Sequence, residues 1–65
     1  MNVKQLAKKI DDANGDDQTI KDAKKKFVDE GGTAGVQEGG KVFSDASGDT
    51  VFVTDGGKVF GGKVF

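Results

Sequence analysis

Asp12, Asn14 and Asp16 supply side-chain oxygens at alternate positions of Asp12-Ala13-Asn14-Gly15-Asp16-Asp17. In a turn between two helices, oxygen donors at that spacing suit a hard cation such as calcium. The set then stops short of a closed site. Asp17 stands where a sharp-turn glycine belongs, and Thr19 where an aliphatic residue belongs, with Ile20 one place late. Ala23 holds the place of the closing bidentate glutamate, with Asp22 one place early. The competing reading is an acidic turn in which Asp16 or Asp17 caps the second helix, and the missing closing ligand favours it.

The same six residues resemble the opening of an EF-hand loop. The resemblance implies a calcium-binding helix–loop–helix, kept as an alternative with Asp12, Asn14 and Asp16 as its metal candidates. Other chemistry has less to work with. Lys24-Lys25-Lys26 could touch phosphate, but Asp22, Asp29 and Glu30 neutralise much of the local field. In Gly39-Gly40-Lys41, Gly56-Gly57-Lys58 and Gly61-Gly62-Lys63 the lysine is followed by Val. A phosphate loop needs a hydroxyl there to meet magnesium. Ser44 and Ser47 have no His to activate them. The neighbouring carboxylates Asp11-Asp12 and Asp16-Asp17 diverge on a helix and form no dyad. No catalytic residue and no cofactor is expected, and the chain is read as non-enzymatic.

Composition narrows the options further. The 65 residues contain no Cys, His, Pro, Arg, Trp or Tyr, and all ten cations are Lys. Absent His removes an imidazole base and ligand, and absent Cys removes a thiolate. Absent Arg removes the bidentate phosphate clamp. So narrow an alphabet suits either a natural gene with biased composition or a designed sequence. A net charge of −1 with mixed signs gives no pull toward nucleic acid or an anionic membrane. Met1–Ile10 carries three Lys and no apolar run, so neither a secretory leader nor a membrane span is expected, and a soluble protein is the default. The compartment is not specified.

Two periods organise the chain into one small α+β domain. Val3, Leu6, Ala7 and Ile10 recur at helical spacing, with Asn2 as N-cap and Asn14-Gly15 as the stop. A second helix fits Asp17–Glu30, with Ile20, Ala23, Phe27 and Val28 on its apolar face and Gly31 just beyond its end. Asp17–Lys21 and Asp22–Lys26 are i, i+4 pairs in the favourable orientation. Residues 1–31 therefore read as a helical hairpin. Residues 32–40 show no period and read as a linker. Residues 41–65 read as an antiparallel β-meander of three to four short strands, the strongest being Thr50-Val51-Phe52-Val53-Thr54.

The word Gly-Gly-Lys-Val-Phe occurs three times, at 39–43, 56–60 and 61–65. A glycine pair before a short apolar run is a turn followed by a strand. A Gly61-Gly62 hairpin would put Val59 and Val64 on one face and Phe60 and Phe65 on the other. Phe on both faces of a sheet leaves one face to be covered from outside. Such strands suit addition to another sheet edge. The expected function is a structural or protein-interaction module, an oligomer or subunit of an assembly such as a virion. Its contacts are expected at Phe43, Phe52, Val59, Phe60, Val64 and Phe65.

Overall fold

The computed structural model describes residues 1–61. Two helices, α1 (Val3–Ala13) and α2 (Asp17–Asp29), precede four strands. These are β1 (Thr33–Gln37), β2 (Gly40–Ser44), β3 (Thr50–Thr54) and β4 (Val59–Phe60). The strands form one antiparallel sheet in the order β1-β2-β3-β4. The architecture is the α+β arrangement that the two periods predict.

Each helix starts and stops where its side chains supply the backbone's missing partners. Asn2 Oδ1 accepts from the Gln5 N–H and Gln5 Oε1 accepts from the Asn2 N–H, both at 2.9 Å, which closes a capping box. Asn14 ends α1 in the left-handed region at φ 51°. Asp16 caps α2 by accepting from the Thr19 N–H at 3.2 Å and from its hydroxyl. The far end of α2 is a Schellman motif. Gly31, at φ 104°, donates to Val28 O, and Gly32 donates to Phe27 O, both at 3.0 Å. Asp17–Lys21 forms at 3.2 Å as expected. Asp22 instead accepts from Gln18, and Lys26 stands in the last turn of the helix.

Both helices lie on one face of the sheet. Val3, Leu6, Ile10, Ile20, Ala23 and Phe27 meet Phe43, Val51 and Val53 in one buried cluster. Burying each large side chain contributes about 1.5–3 kcal/mol. The Phe27 and Phe43 rings meet edge to face, 5.7 Å apart at 86°. Val28, read as apolar-face, is 43% exposed at the flank of α2.

Two readings of the sequence need correction. Residues 32–40 are not a linker: Thr33–Gln37 pairs with Gly40–Ser44 along its whole length, and Glu38-Gly39 makes the tight turn between them. Gly39 takes φ 84°, which that turn requires. Phe43 is not a surface residue, because it is 1% exposed in the core. The proposed Gly61-Gly62 hairpin, with Val64 and Phe65, lies outside the described residues.

Candidate functional site

The acidic turn does not gather its oxygens. Asp12 turns back along α1 and pairs with Lys8 at 3.2 Å. Asn14 is the C-cap of α1, and Asp16 is engaged by Thr19 at the start of α2. Hydrogen bonding to the Thr19 hydroxyl, then to its N–H, holds the Asp16 carboxyl below its ordinary value. Among the described residues, no group of three or more acidic, His or Cys side chains is placed to hold a metal ion. The geometry is that of a helix–helix turn with a cap.

The Lys-Val-Phe words lie on the sheet in opposite senses. In β2 the register sets Phe43 opposite Val51 on the helix-covered face, with Val42 opposite Phe52 on the outer face. In β4 Val59 stands opposite Val53 on the covered face, and Phe60 opposite Phe52 on the outer one. Val42, Phe52 and Phe60 therefore form a row across the outer face. The Phe52 and Phe60 rings stand 6.3 Å apart, tilted by 31°, and Phe60 is 46% exposed. Of the expected contact residues, Phe52 and Phe60 share this outer face, Val59 packs against the core, and Phe43 is inside it.

The edge that sequence reasoning missed is β1. All five of its residues are exposed, and Val36 is 83% exposed. The segment Thr33-Ala34-Gly35-Val36-Gln37 carries no charge and no Pro. Edge strands are ordinarily guarded by such residues, by bulges, or by being very short. At the other side of the described sheet, β4 has two residues and is preceded by Lys58. The sequence signal for β1 was the Glu38-Gly39 turn rather than its own composition.

A second feature missed is the loop Asp45–Asp49. Asp45 Oδ1 accepts from the Ser47 N–H at 3.0 Å, the Ser47 hydroxyl at 2.6 Å and the Asp49 N–H at 3.1 Å. The Ser47 hydroxyl is thereby committed to the loop. The readable signal was Asp-x-Ser-Gly-Asp, a run that favours side-chain-to-backbone turns.

Comparison with protein-family models, with characterised proteins and with solved structures finds no match to this chain.

Proposed function

We propose that the chain is a non-enzymatic protein-interaction module that self-associates by strand addition to its sheet. The observation that supports this reading is β1, a five-residue strand paired on one side only among the described residues and exposed along its length. An edge strand presents a row of backbone donors and acceptors that another strand satisfies in full. The acidic turn supports no competing reading, because Asp12, Asn14 and Asp16 are each engaged in local helix chemistry.

Sedimentation velocity of the full chain, from micromolar to millimolar concentration, tests the proposal. A sedimentation coefficient that rises with concentration toward that of a dimer or larger assembly is expected. A monomer at every concentration overturns it.

A further inference from the structure

We infer that β1 pairs antiparallel with β1 of a second copy of this chain, about a two-fold axis at Gly35. The inference rests on the self-association reading and adds the strand, the occupant and the register. The direction of the backbone groups comes first. Gly39 O accepts from the Asp55 N–H at 2.9 Å, so odd-numbered residues along β2 turn their backbone groups toward β3. Even-numbered residues of β2 therefore turn theirs toward β1. Their partners are Thr33, Gly35 and Gln37. What remains is Ala34 and Val36, whose N–H and C=O groups point at the open edge.

That pattern is its own complement. Antiparallel pairing about Gly35 sets Ala34 opposite Val36 of the second copy, and Val36 opposite its Ala34. Both N–H and both C=O groups of each strand are then satisfied. Full overlap of Thr33–Gln37 is kept, and no charged residue meets its own copy within it. Ala34 and Val36 are cross-strand partners of Phe43 and Lys41, so both lie on the helix side of the sheet. Each exposed Val36 side chain would lie beside an Ala34 methyl of the other copy. Gly35 would face Gly35, with no side chain to hold the backbones apart. An alternative occupant, the β4 edge of another copy, offers two strand residues among those described.

Three measurements on the full chain test this. Val36→Lys places a charge at an 83% exposed edge position, and helix and sheet signals by circular dichroism that match the parent should show that the fold tolerates the new lysine opposite Lys41. Its self-association should be lost. Gly35→Cys introduces the chain's single thiol, and the nearest atom to its Cβ would be Val42 O at 3.9 Å. With oxidised glutathione it should form a disulfide-linked dimer, because directly opposed strand residues approach within disulfide range. Thr33→Cys, opposite Gln37 in this register, should not. If the parent associates and Val36→Lys associates equally well, the β1 pairing is overturned while self-association stands. If association is lost in Val36→Lys but Gly35→Cys does not cross-link in preference to Thr33→Cys, the register is overturned. A parent that stays monomeric overturns the self-association reading itself.

Discussion

The backbone N–H of Val3 donates to Asp45 Oδ2 at 3.1 Å, across 42 residues of chain. Val3 opens α1, where the first-turn N–H groups have no partner within the helix. Asn2 satisfies one of them locally, and Asp45 satisfies another from the β2–β3 loop. The other oxygen of the same carboxylate holds that loop closed. One side chain therefore joins the sheet to the start of the helix layer, and its charge suits the helix N-terminus.

Removing that carboxylate should loosen both attachments. Asp45→Ala is expected to lower the thermal midpoint by several degrees. Asp49→Ala should do much less, because among the described residues its carboxylate accepts only a 3.3 Å contact from the Ser47 hydroxyl. Thermal unfolding followed by circular dichroism gives the comparison. Equal midpoints for the two variants would mean that the Val3–Asp45 bond contributes nothing to the fold.

The same contacts set a pH dependence. The Ser47 hydroxyl, then the Val3 N–H, holds the Asp45 carboxyl below its ordinary value of 3.8. Thr19 does the same for Asp16. A folded value below the unfolded one means that the unfolded chain takes up the proton first. Stability from these two groups is therefore complete above 3.8 and is lost as pH falls below it, through the folded values. Urea midpoints should be level at mildly acidic pH and drop below that point. In Asp45→Asn the midpoint should start lower at neutral pH and fall less steeply in acid. A parent midpoint that rises on acidification contradicts the assignment.

The helices were legible because their apolar spacing and their caps agree. Leu6, Ile10, Ile20 and Phe27 are buried where the period puts them. Val51 and Val53 likewise follow from strict alternation. β1 was not legible, because it buries none of its residues. It is a strand through its ladder with β2, and periodicity sees only side-chain burial. The facing of the Lys-Val-Phe words was hidden for a related reason. β3 offers Val51 and Val53 to the helices, and the lengths of its two flanking loops decide which residue stands opposite each. A five-residue loop delivers Phe43 to Val51, whereas the tighter turn, closed by Thr54 N–H to Lys58 O at 2.8 Å, delivers Val59 to Val53. Identical words thus bury different residues. The acidic turn was legible as a cap and as a partial cation loop, and the placement of Asp12 beside Lys8, of Asn14 at the C-cap and of Asp16 on Thr19 separates the two.

Gly32 and Phe27 form a second close pair. A Cβ on Gly32 would stand 2.2–2.7 Å from three atoms of the Phe27 ring. That ring is fully buried against Phe43 and has little room to retreat. Gly32→Ala should cost about 1–3 kcal/mol by overpacking. Phe27→Ala should cost about 3–5 kcal/mol, a large share of the total of about 3–10 kcal/mol that 65 residues at about 0.05–0.15 kcal/mol each possess. In a Phe27→Leu background, Gly32→Ala should cost less than in the parent, since the two changes share one space. Strictly additive costs in urea titrations would place the clash elsewhere.

The glycine doublets of the repeated word should also prove unequal. Gly40 lies inside β2, and a Cβ there would stand 2.2 Å from Val53 O, 2.8 Å from Thr54 Cα and 3.0 Å from Phe52 Cζ. Two of those atoms are backbone, so neither can move without breaking the β2–β3 ladder. Gly39 has open space around it but sits at φ 84°, where a side chain is strained. Gly56, the counterpart of Gly39 in the next copy of the word, meets nothing nearer than Thr54 Oγ1 at 3.9 Å. Alanine should therefore cost most at Gly40, about 3 kcal/mol or more. It should cost about 1–2 kcal/mol at Gly39, and within about 0.5 kcal/mol of nothing at Gly56. Urea midpoints of the three single variants give the order directly. Equal costs at Gly40 and Gly56 would mean that the doublets act as interchangeable spacers, and that the close approach of β2 to β3 at Gly40 places no demand on the side chain.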